Sequence, residues 1–153
     1  MIKIREVGVR DLGALKYIDL KASIYPATSE MWTYAVVEGN CINFGVQFGT
    51  LLVGFIITEQ EKTELRILRL KISPAFRSYG LEEELVAKAE SLARDLHANK
   101  LSKVIPELHC IPGDPDDESY LWTGMGFKAT KIIPDAFVMY GDLVDGFKFE
   151  RGI

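Results

Sequence analysis

The chain has 153 residues, 48% of them apolar and 26% charged, and a formal net charge of −4. That length favours one domain, residues 1–153, around one sizeable core, and the acidic balance argues against a nucleic-acid partner, which needs a basic patch. Cys41 and Cys110 stand too far apart in sequence to suggest a disulfide framework or a zinc site. No apolar run approaches the ~20 residues of a membrane span, and the charged start Lys3-Ile4-Arg5-Glu6 does not read as a signal sequence, so the expectation is a cytoplasmic protein with no membrane partner.

Ile2 to Val9 alternates and predicts a strand. Arg10-Asp11 then opens a helix with Leu12, Leu15, Ile18 and Ala22 on one face, and Asp11 serves as N-cap or first-turn acid. Tyr25-Pro26 ends that helix. Thr28-Ser29-Glu30 starts a second over Met31–Val37, closed by Gly39-Asn40. A hairpin follows, with Cys41–Phe48, a Gly49-Thr50 turn and Leu51–Glu59. Gly54 inside the return strand marks a bulge or a close backbone approach. After a polar turn at Gln60–Thr63, Glu64–Ser73 forms a third strand.

The stretch from Ile67 to Leu85 is the most informative of the chain. It reads as an apolar strand, a proline, a short Arg-x-x-Gly turn and an amphipathic helix. Leu81, Leu85, Ala89, Leu92 and Leu96 form one helical stripe, with Asn99 as the residue past its end. A strand turning into a helix leaves backbone N–H groups unpaired at the helix mouth, where a phosphate can sit. Beyond it, Lys103–Ile111 predicts a strand interrupted by Pro106, and Pro112–Pro115 a loop. Asp116–Thr123 predicts a short helix ended by Gly124. Phe127–Ile133 and Ala136–Leu143 predict two strands around Pro134-Asp135, and the tail Gly146–Ile153 carries no assignment.

Leu70-x-Ile72-x-Pro74-x-x-Arg77-x-x-Gly80-Leu81 resembles the acetyl-CoA-binding signature of the GNAT superfamily of N-acyltransferases, a strand followed by Gln/Arg-x-x-Gly-x-Gly/Ala. Leu121-Trp122-Thr123-Gly124-Met125-Gly126-Phe127 resembles the family's Leu-Tyr-x-x-x-Gly-Phe segment, and the order of elements agrees over nearly the whole chain. The resemblance implies an α/β (α+β) fold with a mixed, mostly antiparallel sheet of about six or seven strands flanked by about four helices. It implies an N-acetyltransferase that moves acetyl from the co-substrate acetyl-CoA directly to a primary amine of a small molecule, peptide or protein. The alternative on the same fold is a weakly active or inactive domain that binds acyl-CoA or a protein partner. A homodimer is an open assembly state. Neither Gly-x-x-x-x-Gly-Lys-Ser/Thr nor Gly-x-Gly-x-x-Gly is present, which disfavours nucleotide triphosphates and dinucleotides.

The resemblance also implies a pose. The pantetheine arm pairs with the backbone of Leu70, Lys71 and Ile72, and the pyrophosphate sits on the amides of Arg77, Ser78, Tyr79, Gly80, Leu81 and Glu82. Convergent N–H donors at the positive end of a helix favour such an anion by up to about 2 kcal/mol. Arg77 and Arg69 either add charge-assisted bonds or are solvated. Two positions depart from the pattern. Glu82 replaces the last Gly/Ala, where it either stabilises the helix start or crowds the pyrophosphate. Trp122 replaces a tyrosine that often serves as general acid, and an indole N–H donates a hydrogen bond but does not ionise. Trp122 as a core aromatic is the competing reading, and Tyr120 is the substitute acid.

Acetyl transfer needs a neutral amine, a polarised carbonyl and a proton for the thiolate. Glu64, at the start of the strand before the turn, is a candidate carboxylate, displaced from the family's usual place near Arg66. Glu107 and His109 share a face of the next predicted strand, as a water-orienting carboxylate and a base that titrates near neutrality, or as surface residues of an edge. His97 reads as a cation at a helix end and Cys110 as a small buried apolar residue. Tyr25, Trp32, Tyr34, Phe137 and Tyr140 are candidates for an acceptor pocket or for the core. No metal ligand set is expected.

Overall fold

Strands form where β-branched and aromatic residues are dense, and the computed structural model, which describes residues 1–114 and 117–153, joins seven of them in one sheet. They are β1 (Ile2–Glu6), β2 (Ile42–Phe48), β3 (Leu51–Glu61), β4 (Glu64–Ile72), β5 (Lys100–Pro106), β6 (Lys128–Met139) and β7 (Asp142–Gly152), in spatial order β1-β2-β3-β4-β5-β7-β6. Every neighbouring pair is antiparallel except β4 with β5. The described α-helices are α1 (Leu12–Ala22), α2 (Ser29–Trp32), α3 (Leu81–Asp95) and α4 (Ser119–Gly124). This is the mixed, mostly antiparallel sheet with flanking helices that the sequence predicts.

Past a bulge at Val53, the period of two along β3 divides the core between the two faces of the sheet. Val53 and Ile56 join the larger cluster with Leu65, Ile67, Leu70 and Ile72 of β4, and α3 covers it with Leu81, Leu85, Val86, Ala89 and Ala93. Phe55 and Ile57 face the other way, against Leu15 and Ile18 of α1 and Trp32 and Val36 beyond the second helix start. Thr28 caps α2 by accepting from the Met31 amide. Trp122 is 1% exposed in the larger cluster and packs edge-on against Phe127, so it is a core aromatic.

Several boundaries differ from the sequence expectation, each for a local reason. The first strand ends at Glu6, because Gly8 and Asp11 close a capping turn before α1. The residue past the end of α3 is His97, not Asn99. His97 has φ +59°, and the Ala98 amide reaches back to the Ala93 carbonyl, a Schellman closure. The strand expected over Lys103–Ile111 runs over Lys100–Pro106 instead. Pro106 starts a 3₁₀ turn, so Glu107 and His109 do not share a strand face. Pro134-Asp135 is not the last hairpin turn. It is an irregularity inside β6, where the Asp135 amide donates to Asp145, while Tyr140 and Gly141, at φ +54° and +82°, make the turn. The unassigned tail belongs to β7, paired with both β5 and β6. Of the predicted short helix, Asp116 lies outside the described residues, and helix begins at Ser119.

Gly54 is a place of close backbone approach beside a bulge. It pairs with Val46, and the register then shifts so that Gln47 meets Leu52 and Val53 is left over. A Cβ on Gly54 would lie 2.5 Å from Ile72 Cδ1 and 3.1 Å from the Lys71 carbonyl oxygen. Gly54→Ala is therefore expected to lower stability by about 1–3 kcal/mol, through overpacking under the part of β4 that borders the site. Urea denaturation checks this, and an unchanged midpoint would show that β4 yields freely.

Candidate functional site

The sheet opens between β4 and β5. Their parallel register holds for Glu64–Lys100, Leu65–Leu101 and Arg66–Ser102, and then stops. From Ile67 to Ile72 the β4 edge that faces β5 has no strand partner among the described residues. On its other edge, β4 slips register with β3. Ile57 meets Arg69 and Thr58 meets Ile67, so Leu68 is the extra residue of a bulge. A cleft of about 290 Å³ lies here, lined by Arg66, Leu68, Lys103, Val104, Ile133 and Phe137, among others. The Lys103 ammonium reaches across it and donates to the Leu68 carbonyl at 2.9 Å.

At its far end β4 passes through a 3₁₀ turn at Pro74–Phe76 into α3. Ser78 and Gly80 both take left-handed conformations, at φ +77° and +70°. Gly80 adopts this freely, whereas Ser78 does so against its side chain. Among the described residues the amides of Ser78 through Glu83 donate to no backbone acceptor, and the first internal bond runs from Glu84 to Gly80. Tyr79 and Arg77 are exposed there, and Arg77 donates to the Ala22 carbonyl at 3.4 Å. Leu81 is buried in the core, Glu82 is half-buried, and a carboxylate oxygen of Glu83 lies 3.6 Å from the Cβ position of Gly80.

A charged network joins the two sides of the opening. Asp19 of α1 is 1% exposed and accepts from Arg69 at 2.5 Å, from Ser23 at 2.9 Å and from the Ala27 amide at 2.7 Å. Arg69 also donates to the Tyr25 carbonyl at 2.7 Å. It is therefore committed to tying the segment after α1 onto β4. Across the opening, Glu118 accepts a hydrogen bond from His109 Nδ1 at 2.7 Å. The His109 ring stacks on Tyr25, with centroids 5.2 Å apart, and the Tyr25 and Tyr140 hydroxyls hydrogen-bond. His109 Nε2 is buried and has no partner among the described residues.

Burial and charge shift the proton affinities of Glu118, Lys71 and Lys103. Burial opposes ionisation of Glu118, but the Lys103 and Lys71 ammonium groups and the His109 hydrogen bond outweigh it and hold the carboxyl below its usual range. Burial pushes Lys71 down, against the pull of Glu118 and Asp19. Burial likewise pushes Lys103 down to about 8, helped by Arg69, Lys71 and Arg66 and opposed by Glu118.

The other sequence candidates lie elsewhere. Glu64 sits at the closed end of the β4–β5 pair, where it holds Lys148 at 3.0 Å. Glu107 is exposed on the 3₁₀ turn, and Tyr120 is 82% exposed on α4. Trp32 is buried under the sheet, and the Tyr34 hydroxyl bonds Glu59. Cys110 is half-buried against the larger core, and burial raises its thiol to about 11. Leu70 and Ile72 send their side chains into the core. Asp19, Lys103 and Glu118 had no signature in the sequence, since no motif brings a helix, a strand and a loop together. The one available hint was a lysine within the apolar run of β5.

No family model and no curated protein matches the sequence. Solved structures do. The chain superposes on the ribosomal-protein-S18-alanine N-acetyltransferase from Escherichia coli with a TM-score of 0.81 at 16% identity, covering 100% of this chain and 94% of that one. It matches NAA60 from Arabidopsis thaliana in complex with acetyl-CoA at 0.80 and 14% identity, over 100% and 99% of the two chains. A GNAT family acetyltransferase from Elizabethkingia anophelis with acetyl-CoA bound matches at 0.74 and 14%, over 99% and 98%. The fold is that of the GNAT acetyltransferases.

The Asp19–Arg69 pair predicts a strong stability effect. Asp19→Ala leaves a partly buried guanidinium short of its charge partner and should cost about 3 kcal/mol. Lys21→Ala, exposed on the same helix, should stay within about 0.5 kcal/mol of the parent. Equal denaturation midpoints for the two variants would show that the pair does not hold the α1 segment in place.

Proposed function

We propose that the chain is an N-acetyltransferase that moves an acetyl group from acetyl-CoA directly to a primary amine. The observation that carries this reading is the opening of the sheet between β4 and β5. It leaves the backbone groups between Leu70 and Ile72 that point away from β3 free on one edge, and the two amides of a pantetheine arm match such an edge as an added strand would. The unbonded amides from Ser78 to Glu83, at the positive end of the 15-residue helix α3, suit a pyrophosphate. Arg77 adds positive charge nearby. The nearness of Glu83 to Gly80 opposes it and requires that side chain to swing outward.

The acceptor amine enters from the side of Tyr25, Tyr140 and Phe137. It must lose a proton as it attacks the thioester carbonyl. In this reading His109 takes that role. With Nδ1–H donating to Glu118, the lone pair is left on Nε2, the buried nitrogen that has no partner among the described residues. The bulged Leu68, released from the β3 ladder, supplies a backbone N–H of the kind that steadies an oxyanion. The imidazolium then returns the proton to the leaving sulfur, which removes the need for a separate phenolic acid at Trp122. The name of the Escherichia coli neighbour supports including peptide amines among the acceptors tested.

Thermal or denaturant unfolding with and without acetyl-CoA tests the reading. At 100 times its Kd, acetyl-CoA should add about 2.7 kcal/mol of stability, and no shift at millimolar ligand would remove the proposal. Thiol release against a panel of small and peptide amines then identifies turnover. His109→Gln should keep the stabilisation by acetyl-CoA but lower kcat by about 100-fold. An unchanged kcat would take His109 out of the base role.

A further inference from the structure

We propose that Lys103 is itself an acetyl acceptor, so that the protein acetylates its own cleft when no substrate amine fills it. This rests on the acetyltransferase reading above. Lys103 is the residue immediately after the last β4–β5 pair, Arg66–Ser102, at the point where the strands part. Its Nζ lies 2.9 Å from the carbonyl oxygen of Leu68, the residue bulged out of β4. Both residues line the cleft that the proposed reaction uses, together with Arg66, Val104 and Phe137. An amine anchored on the β4 bulge occupies the ground from which an acceptor would attack a thioester laid along β4.

The surroundings of Nζ favour the nucleophilic form. Its hydrogen-bond acceptor is a neutral carbonyl, and no carboxylate among the described residues lies within ion-pair distance of it. Arg66, Arg69 and Lys71 oppose its protonation, and Glu118 alone of the nearby carboxylates favours it. With its pKa pushed down to about 8, roughly a tenth of the molecules carry a neutral Lys103 at pH 7, against roughly one in a few thousand for an ordinary lysine.

The step is balanced without a further reactant. The Nζ lone pair attacks the carbonyl carbon of acetyl-CoA and a C–N bond forms. The C–S bond breaks and sulfur leaves with the electron pair. The proton shed by nitrogen ends on that sulfur, giving an amide at Lys103 and free CoA thiol. The product exchanges an ammonium for a bulkier neutral amide inside the cleft, so it blocks acceptor entry and limits turnover when acceptor is scarce.

The test is incubation of the full chain with acetyl-CoA in the absence of any amine, followed by peptide mass spectrometry over time. Lys103 should gain one acetyl group at a rate that saturates with acetyl-CoA, about tenfold or more faster than the exposed Lys62 and Lys128. An amine that supports thiol release should slow the modification. Lys103→Arg should lose that modified peptide while keeping the stabilisation by acetyl-CoA. Acetylation of Lys103 no faster than at Lys62 and Lys128, in protein that acetyl-CoA does stabilise, overturns the proposal and leaves the acetyltransferase reading intact. Absence of any stabilisation by acetyl-CoA overturns both.

Discussion

Among the described residues β4 and β5 pair as strands at three positions, and the site exists because the pairing stops there. Beyond Arg66–Ser102 the two strands have different partners. β4 continues its antiparallel ladder with β3 to Gly54–Ile72, while β5 is held along its far edge by β7 from Lys100–Gly152 to Pro106–Gly146. Each strand is satisfied on one side, so neither needs the other. A gap in the middle of a sheet leaves polar backbone exposed where a core would normally exclude water, which costs free energy unless something fills it. In this chain the Lys103 side chain fills part of it, giving the Leu68 carbonyl the donor that a β5 amide no longer supplies.

The groups around the gap form two linked sets with different tasks. Asp19, Arg69, Ser23 and the backbone at Tyr25 and Ala27 are saturated with hydrogen bonds, and they fix the segment after α1 against β4. This makes them scaffold, and it removes Arg69 from the pool of cations open to a ligand. Lys71, Lys103, Glu118 and His109 are less fully paired. Two ammonium groups lowered by burial face one carboxylate held ionised between them, with an imidazole on its other side. Opposed shifts in neighbouring titratable groups mark places where protons can move at neutral pH. Tyr25 couples the two sets, since Arg69 holds its carbonyl and its ring lies on His109.

The sequence was legible wherever one segment's own pattern decided the outcome. The stripe on α3, the β2–β3 hairpin and the Thr28 cap follow from spacing and local hydrogen bonding. It was less legible where two signals compete. Pro134-Asp135 carries strong turn chemistry, yet the chain turns at Tyr140-Gly141, because pairing of β6 with β7 on both sides of the irregularity outweighs the local preference. At the end of α3, His97 rather than Asn99 takes the left-handed position, because the Ala98 bond back to Ala93 fixes where the helix closes. Trp122 stands where a family tyrosine was expected, and its burial against Phe127 is a packing result that composition alone left open.

The sequence by itself determined most element types up to α3, the strand-turn-helix around Gly80 and the resemblance that pointed to the fold, because each of these is written in contiguous residues. It singled out His109, but placed it on a strand face with Glu107. Only the tertiary structure decided that His109 pairs with Glu118 and stacks on Tyr25, that Glu64 is held by Lys148 at the closed end of the strand pair, and that Lys103 spans the opening. Those placements depend on where β4 and β5 part company. That point is set by the competing claims of β3 and β7, two strands far from each other in the chain, and no local pattern records it.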